Sequence, residues 1–493
     1  MLEVPGIGPG LVSLIDEYVT TGNLSRLETL QARYPAEVSR MRRLPRANQR
    51  VLRAMKEGLG VETLADLQAA IDTGAATTLP GVGETTASLW QRILELAAAG
   101  GAAPAHRAWV MARQIGNHLE RHLDVLVSET GAVRRVEDWV AETEVLVGTE
   151  DEDRVRQFLR ETAVAASDED AGEGRVVLQT HDGLRAKVHV TTPDGFGSAL
   201  VETTGPDSHL VEAFAAGIPR FPTEPEVYQE TGLPWVPPAA RARPLAEALG
   251  VVTVADLRGD LHLHTEVSPD GRITLDELAK AGMARGYSYL LVTDHTKGLR
   301  FGGLDEDGIA RQAEFVAEVR RRFPAIEILH GAELNIEVDG DLDIDDEALR
   351  LLDFAVAAVH SRFDLDQGSQ TKRVLTALRH PKVRVLAHPL GRRIGIRPPL
   401  ALDAEVMFEV AAQERVALEL NGHRDRLDLS AELAEQALDS GCLLAANSDA
   451  HRLGELANVE NAVATAQHAG ARPERVVNTW DTESLRTWFL EDQ

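Results

Sequence analysis

Seven short apolar segments recur through the second half of the chain, and each ends in a polar residue. Their ends lie about 27 to 38 residues apart, which is the length of one strand plus one crossover helix. Parallel strands in such a series close into a barrel, and their carboxyl ends meet on the face that carries the chemistry. The markers of the seven ends are His262, His295, Glu333, His360, His388, Asn421 and Asp449.

Nine side chains of metal-ligand type lie at or just after these strand ends. Side chains two residues apart in a strand point the same way, so His262 and His264 should face one space. An isolated histidine is more often a satisfied polar residue than a ligand, but nine such groups at consecutive strand ends predict a metal site. The set is His262, His264, Asp270, His295, Glu333, His360, His388, Asp449 and His451.

Six imidazoles and three carboxylates exceed what one tetrahedral ion uses, so two or three divalent ions are expected, with Glu333 or Asp449 as a bridge. Imidazole-rich ligation favours Zn or Mn, with Fe as a further candidate, over Mg or Ca. Such a centre suits hydrolysis of a phosphate ester, because one ion acidifies water and another clamps the leaving oxygen. The expected nucleophile is a metal-bound hydroxide held at Glu333, Asp449, His262 and His264.

A phosphate substrate also needs cationic partners. Candidates follow the strand ends, although an arginine in such a loop is more often a solvated surface residue. They are Lys297, Arg300, Arg392, Arg393, Arg424 and Arg426.

The composition excludes several classes of protein. The single cysteine, Cys442, excludes an internal disulfide framework. The sequence also contains no run of about 18 apolar residues, which is the length that a membrane-spanning helix needs. With no recognisable leader segment, we predict a cytoplasmic protein. The formal net charge of -27 argues against indiscriminate binding to nucleic acid, so any contact with DNA must be local.

The first hundred residues contain two copies of Pro-Gly-apolar-Gly ahead of an amphipathic helix, "VPGIGPG" and "LPGVGETT". They resemble helix-hairpin-helix motifs, whose backbone N–H groups bind DNA phosphates without a basic surface. A glycine turn between packed helices is the alternative for either copy alone. Between the copies, four arginines are spaced to share one helix face, which is either a DNA contact or a solvated face. The candidate DNA contacts are Gly6, Gly8, Gly10, Gly81, Gly83, Arg42, Arg46 and Arg50, and Arg53 extends the stripe.

The strand-end motifs "DLHLHTEVSPDG", "TDH", "GAE", "VHS", "AHP" and "NSDAH" resemble, in order, those of the polymerase and histidinol phosphatase (PHP) domain. The resemblance implies a distorted (β/α)7 barrel with a trinuclear site that hydrolyses phosphoesters. Hairpins, a mixed α/β segment and a PHP domain follow one another in bacterial family X DNA polymerases. We therefore expect a hairpin region at 1–102, a polymerase palm and shortened thumb at 103–240, a linker at 241–256 and the barrel at 257–493.

The expected palm departs from the resemblance. Its segment contains four apolar strand-like runs and an acidic stretch, "ASDEDAGEG", that is typical of a solvated loop. In "GAVRRVEDWVAETEVLVGTED", Ala132 stands at the family's serine position, and Glu142 and Glu144 stand at its first two catalytic aspartates. Lys187 takes the third position and could pair with either glutamate. The resemblance therefore implies a nucleotidyltransferase-like palm that is degenerate and without polymerase activity.

The sequence favours a metal-dependent DNA phosphoesterase, either a 3′-to-5′ exonuclease or an enzyme that processes 3′ ends or abasic sites in DNA repair. Its partner would be gapped, nicked or 3′-ended duplex DNA. Three alternatives stay open: a small-molecule phosphatase of the histidinol phosphate type, an active family X repair polymerase with exonuclease activity, and a non-catalytic DNA-binding scaffold. The complete ligand set disfavours the last.

Overall fold

The computed structural model describes part of the chain: residues 9–21, 24–26, 29, 41–42, 44, 47–98, 103–161, 165–170, 174–180, 184–300 and 302–490. Contacts divide it into two compact units. The first unit comprises residues up to 99 with Gly395–Pro398, and the second comprises Gly100–Ile394 and Pro399–Gln493. The four-domain division with borders at 102, 240 and 256 stays a prediction. Among these residues, no helix is long and apolar enough to cross a membrane.

The described helices of the first unit are α1 (Pro9–Thr21), α2 (Gln49–Leu59), α3 (Leu64–Asp72) and α4 (Glu84–Ala98). Side-chain caps fix where two of them begin. The Asn48 side chain accepts hydrogen bonds from the first turn of α2, and Thr63 forms a reciprocal capping box with Asp66 in α3. Apolar side chains on α2 to α4 pack together, with Met55 and Trp90 almost completely buried.

A glycine turn precedes α4 at the second hairpin motif. Val82 N–H donates to the Leu79 carbonyl over 3.1 Å, Pro80 occupies the second position, and Gly81 has a φ of 77°. A positive φ at the third position of such a turn requires glycine in practice. Gly81 and Gly83 are both exposed. Of the first motif, Gly10 lies in α1, whereas Gly6 and Gly8 lie outside the described residues.

The predicted stripe of arginines on one helix face is wrong. The Asn48 cap starts α2 at Gln49, so exposed Arg42 precedes the helix and only Arg50 and Arg53 belong to it. Arg46 lies outside the described residues. The spacing implied one continuous helix because it takes no account of a capping residue that ends the helical backbone between the arginines.

The second unit begins with an α/β part built on a five-stranded sheet of order β2-β4-β7-β6-β5, in which only β4 and β7 run parallel. The four predicted strands are present. The acidic stretch expected to be a loop contributes to β5 instead, because an edge strand needs pairing on one side only and tolerates charge. The elements are β1 (Ala103–Pro104), α5 (Ala105–His122), β2 (Leu126–Thr130), α6 (Gly131–Arg134), β3 (Trp139–Val140), β4 (Thr143–Gly148), α7 (Glu152–Glu161), β5 (Ala165–Asp170), β6 (Arg175–Thr180) and β7 (Arg185–Thr191).

Short helices follow this sheet: α8 (Phe196–Thr204), α9 (Asp207–Ala213), α10 (Glu224–Thr231) and α11 (Leu245–Ala248). They enclose the buried Glu224 carboxylate, which lies 2.6 Å from Arg134 and 3.0 Å from Arg241. The segment 241–256, expected to be a linker, is packed rather than extended. Arg241 is fully buried, and Val252 belongs to the core of the barrel that follows. The buried Glu224 carboxylate supplies the partner that allows the charge of Arg241 to be buried.

The C-terminal barrel contains all seven predicted strands, and its third strand is broken into two pieces. The strands are β8 (Gly259–Leu263), β9 (Tyr289–Val292), β10 (Glu327–His330), β11 (Glu333–Asn335), β12 (Ala355–Ala358), β13 (Val383–Leu386), β14 (Ala417–Asn421) and β15 (Leu444–Asn447). The helices are α12 (Leu275–Ala284), α13 (Glu306–Arg322), α14 (Asp346–Leu349), α15 (Gln367–Leu378), α16 (Ala404–Gln413), α17 (Ala431–Asp439), α18 (Val459–His468) and α19 (Thr482–Leu490).

All strand pairs of the barrel are parallel, in the orders β10-β9-β8 and β11-β12-β13-β14-β15. Two parallel bridges join these sheets into a ring, from Leu263 to Ala450 and from His295 to Glu333. The break in the third strand lets β10 pair with β9 and β11 pair with β12. The strand residues are almost entirely buried, as expected where helices cover a parallel sheet.

Candidate metal centre

Glu333, the first residue of β11, lies at the middle of the predicted ligand set. Its carboxylate is fully buried between imidazoles that come from four other strand ends. One oxygen is 2.7 Å from His295 Nδ1, and the other is 3.0 Å from His388 Nε2 and 3.1 Å from His360 Nε2. His262 Nε2 and His264 Nε2 approach the same carboxylate at 3.5 Å and 3.6 Å.

Asp449 and Asp270 complete the cluster. Asp449 Oδ1 lies 3.3 Å from His264 Nε2 and 3.5 Å from His262 Nε2. Asp270, in the loop after β8, has a half-exposed side chain 3.5 Å from His451 Nε2. The structure therefore brings all nine predicted residues together at the carboxyl ends of the strands.

The ligand-type atoms form overlapping groups of three, each within 4.8 Å, that could hold metal ions. Several of these atoms are buried without a hydrogen-bond partner, including His262 Nε2 and His264 Nε2. Lone pairs that converge on one space without hydrogen bonds fit a divalent cation, which would satisfy them together. Three groups use predicted residues only: His264 with His295 and His451, His262 with His264 and Asp449, and His295 with Glu333 and His360. A fourth, His423 with His451 and Glu455, was not predicted.

Hydrogen bonds to the other ring nitrogen orient the imidazoles. His262 Nδ1 lies 2.7 Å from a Glu419 oxygen, and His360 Nδ1 lies 2.7 Å from Asn335 Oδ1. Each acceptor holds the proton on Nδ1 and leaves the Nε2 lone pair directed at the centre. These supporting residues make the tautomer of the candidate ligands a property of the fold.

Glu419 is the main residue that the sequence analysis missed. It is fully buried in β14, and its two oxygens accept from four donors, His262 Nδ1, Asn447 Nδ2, His388 N and Asn421 Nδ2. The available signal was a carboxylate inside the apolar run "RVALELNG", because a buried strand carries an acid only where donors surround it.

The charges of the centre reinforce one another. Burial alone would raise the pKa values of Glu333 and Asp449, but the surrounding histidines outweigh it and hold both well below their usual range. Burial would likewise lower the pKa of His262, but Glu419, Asp449 and Glu333 raise it. The centre is thus built to keep two carboxylates ionised in a buried space, which is where cations bind.

Two of the candidate ligands adopt a backbone that non-glycine residues rarely use. His388 has a φ of 30° and Asp449 a φ of 54°. Such strained residues persist where the surrounding structure over-determines them and cluster at functional sites.

Most of the predicted phosphate-binding cations have protein partners. Lys297 pairs with Glu306, Arg393 with Asp425, Arg392 with Asp138 of the α/β part, and the Arg424 guanidinium lies 4.6 Å from the Trp109 ring centroid. These cations lie against acidic side chains and an aromatic ring that are distant in the sequence, so spacing along the chain could not predict the contacts. Arg300 is exposed. Arg426 comes nearest to the centre, with its Nε 3.8 Å from Asp449 Oδ2.

The two glutamates at positions expected to correspond to polymerase aspartates contact side chains of β7. Lys187 Nζ lies 2.6 Å from Glu142 Oε2, a pairing that the sequence suggested. His189 Nε2 lies 2.7 Å from Glu144 Oε2. The Glu144 carboxylate also covers Gly131, where a Cβ atom would come within 2.3 Å of its oxygen.

Comparison with known proteins gives one family match within the barrel and one relative that spans nearly the whole chain. Residues 260–423 match the PHP domain. The chain is 29% identical over 521 residues to the DNA polymerase/3'-5' exonuclease PolX of Bacillus subtilis (strain 168), covering 99% of this chain and 91% of that protein. The probable phosphatase YcdX of Escherichia coli (strain K12) is 26% identical over 246 residues, 48% of this chain and 94% of the phosphatase.

A probable phosphatase of Thermoanaerobacter sp. (strain X514) is likewise 26% identical over 249 residues, 47% of this chain and 94% of its own. The resemblance inferred from the motifs is therefore confirmed: the chain is similar along its length to a bacterial family X DNA polymerase and carries a PHP domain in its C-terminal barrel.

Proposed function

We propose that the protein is a metal-dependent phosphoesterase that hydrolyses DNA, as a 3′-to-5′ exonuclease or as an enzyme that processes 3′ ends or abasic sites during repair. One observation carries the proposal. Nine ligand-type side chains, Glu333 and Asp449 among them, converge on one space, and buried ring nitrogens there lack hydrogen-bond partners. Divalent ions bound at such a centre supply Lewis-acid activation of a phosphate ester.

The protein's own residues take distinct roles in this proposal. The nine residues would hold two or three divalent ions, Zn or Mn in preference to Fe, with Glu333 and Asp449 supplying the buried carboxylates. Glu419 and Asn335 hold the imidazoles of His262 and His360 in the tautomer that ligation needs. Arg426 contacts a phosphoryl oxygen of the substrate, because its Nη1 is buried without a hydrogen-bond partner beside the centre.

DNA is favoured as the substrate by the relative that matches nearly the whole chain, whose name includes DNA polymerase and 3'-5' exonuclease. The exposed turn at Gly81 and Gly83 supports a role for the second hairpin motif in binding a DNA phosphate through backbone N–H groups. A gapped, nicked or 3′-ended duplex is the proposed form of DNA. A cytoplasmic location stays a prediction.

Loss of polymerase activity is part of the proposal. Two Mg²⁺ ions need compact carboxylates in near-octahedral geometry, and glutamate adds a methylene to each ligand. Lys187 also neutralises Glu142, and His189 engages Glu144. We expect no primer extension with Mg²⁺ or Mn²⁺ on a gapped duplex; extension above that of a control without enzyme would contradict this part.

The test of the main proposal combines metal analysis with hydrolysis by the purified full-length protein. We expect two or three ions per chain and release of nucleotides from a 3′-recessed duplex in Mn²⁺. His262→Ala should lose bound metal and at least about 100-fold in rate, as expected when a ligand is removed. The matched control is His380→Ala in the same barrel. In the wild type, His380 Nε2 lies 3.7 Å from the carboxylate of exposed Asp346. Full activity of His262→Ala would refute the assignment.

A small-molecule phosphatase is the second candidate, and it rests on the two probable phosphatases that match the barrel. Hydrolysis of a small phosphomonoester with no cleavage of the 3′-recessed duplex would favour it. The same protein sample and the same metal should serve for both substrates.

A further inference from the structure

The loop of residues 422–428, which we name the arginine loop, reaches two parts of the second unit. It follows β14 and carries Arg424 and Arg426 two residues apart. Arg426 Nε lies 3.8 Å from Asp449 Oδ2 in the metal centre. The Arg424 guanidinium instead stacks on the ring of Trp109, which belongs to α5 in the α/β part.

A second contact from the α/β part braces the arginine loop. Asp138 accepts two hydrogen bonds from the Arg392 guanidinium, at 2.5 Å and 3.0 Å. Arg392 in turn donates to the Leu427 carbonyl of the arginine loop. Because a two-bond pair between arginine and a carboxylate fixes both groups in orientation, Asp138 restrains the residue that follows Arg426.

Neighbouring residues complete the brace inside the barrel. Arg393 pairs with Asp425, and Ile394 N–H donates to the Asp425 carbonyl over 2.5 Å. Within the arginine loop, Arg426 N–H donates to the His423 carbonyl over 2.8 Å. The loop on both sides of Arg426 is therefore held by barrel contacts at Asp425 and by contacts from the α/β part, which run from Trp109 to Arg424 and from Asp138 through Arg392 to Leu427.

The Arg426 side chain itself is held loosely. Its pairing with Asp449 is longer than a hydrogen bond, its side chain is 21% exposed, and its Nη1 is buried without a partner. A guanidinium presents five donors in a planar fork that matches phosphoryl oxygens. The backbone is thus fixed while the side chain keeps free donors beside the metal centre, which is the state expected of a group that waits for a substrate anion.

We infer that the α/β part is a positioning element of the phosphoesterase: Trp109 and Asp138 hold the arginine loop so that Arg426 meets the phosphoryl group of the substrate. The inference rests on the proposed function of the barrel. It gives the degenerate palm a task that needs no polymerase chemistry, and it makes Trp109 and Asp138 positioning residues that act through Arg426.

The test uses the full-length protein loaded with Mn²⁺, with p-nitrophenyl phosphate and a 3′-recessed duplex as substrates. Trp109→Ala and Asp138→Asn should each raise KM by about 10-fold with kcat changed less than about 2-fold, because Arg426 contributes binding shared by substrate and transition state. Metal content should stay unchanged. Trp109→Phe and Asp138→Glu should recover most of the lost affinity, since they keep the aromatic face and the carboxylate.

A double-mutant cycle separates positioning from a general structural effect. In an Arg426→Ala background, Trp109→Ala should add no further increase in KM, whereas independent effects would multiply. The matched control is Arg220→Ala, which breaks an exposed ion pair with Asp194 elsewhere in the α/β part and should leave KM unchanged.

Two results would overturn the inference alone. The first is an unchanged KM in both Trp109→Ala and Asp138→Asn. The second is an increase in KM that Trp109→Ala adds in full to that of Arg426→Ala. Both results require that the wild-type protein is active. A wild-type protein that binds metal but hydrolyses neither substrate would overturn the proposed function and this inference together. If Trp109→Ala does not fold, the test uses Asp138→Asn with Asp138→Glu as its conservative control. The Asp138→Asn change affects only the pair with Arg392.

Discussion

Glu419 offers a sharp test of how the fold prepares the metal centre. Each of its oxygens accepts from two donors, His262 Nδ1 and Asn447 Nδ2 on one side and His388 N and Asn421 Nδ2 on the other. Glutamine has the same shape but replaces one acceptor with an NH₂ group. In Glu419→Gln, whichever way the amide is oriented, two of these four donors must therefore face the new NH₂ group, which is itself a donor.

The cost follows from the count of unpaired groups. Leaving a buried donor unsatisfied costs about 1–3 kcal/mol, so the variant should lose about 2–6 kcal/mol of unfolding free energy in the absence of metal. If the NH₂ group faces His262, the imidazole can relieve the clash only by accepting at Nδ1, which moves its proton to Nε2 and blocks ligation. We therefore expect metal affinity to fall about 10- to 100-fold.

Chelator competition measures the affinity, and urea unfolding of the metal-free protein measures the stability. Hydrolysis by Glu419→Gln should recover in part at high Mn²⁺, which distinguishes weak metal binding from loss of chemistry. Glu409→Gln is the control, because Glu409 is exposed on α16 of the same barrel. Unchanged metal affinity in Glu419→Gln would refute the argument that this carboxylate sets the tautomer of His262.

Three further predictions concern stability. Glu224→Gln should cost about 3–5 kcal/mol in urea unfolding, because it leaves the fully buried Arg241 without its carboxylate. Burial, helped by nearby Arg241, lowers the pKa of His209 to about 4, so the imidazole binds a proton on unfolding at pH values between about 4 and 6.5. The free energy of unfolding should therefore fall by up to about 3 kcal/mol as the pH drops from about 6.5 towards 4. His209→Gln should lack this contribution to the pH dependence of stability. Gly259→Ala should cost at least about 1–3 kcal/mol, because a Cβ there would come within 2.4 Å of the Tyr289 carbonyl oxygen.

Each of these has a clear contrary result. A change below about 1 kcal/mol in Glu224→Gln would mean that the buried charges relax or hydrate. Parallel pH–stability curves for the wild type and His209→Gln would show that His209 keeps its ordinary pKa. Wild-type stability of Gly259→Ala would show that β8 can shift away from Tyr289 at no cost.

The sequence could predict the barrel and its ligand set because both depend on local periodicity. Strand-plus-helix spacing placed His262 and Glu333 at strand ends, and parallel strands bring such ends to one face by geometry alone. The sequence could not predict the partners of Glu419, because three of its four donors come from three other chain segments and only Asn421 lies on its own strand.

The sequence-based predictions were wrong where tertiary contacts or helix caps determine the local structure. Arg392 and Arg424 looked like free cations because their partners, Asp138 and Trp109, are more than 250 residues away in the chain. The arginine stripe failed because one residue, Asn48, ends the backbone regularity that the spacing assumed. Pairing across the chain depends on folding as a whole, which a local pattern does not record.

The stretch from Arg241 to Val252 serves two cores at once. At one end Arg241 neutralises Glu224, and at the other Val252 packs in the barrel and its N–H donates to the Ala471 carbonyl over 2.9 Å. Between them the partners cross over, because Arg243 pairs with Glu435 of the barrel whereas Ala248 and Val251 pack in the core that contains Val227 and Tyr228. A cut between Arg243 and Ala248 therefore takes from each side a group that packs or pairs with it. The two halves of the second unit should thus resist separation into independently stable fragments. Exchanging one half for that of another protein should destabilise the product, because the stretch then matches only one of the two cores.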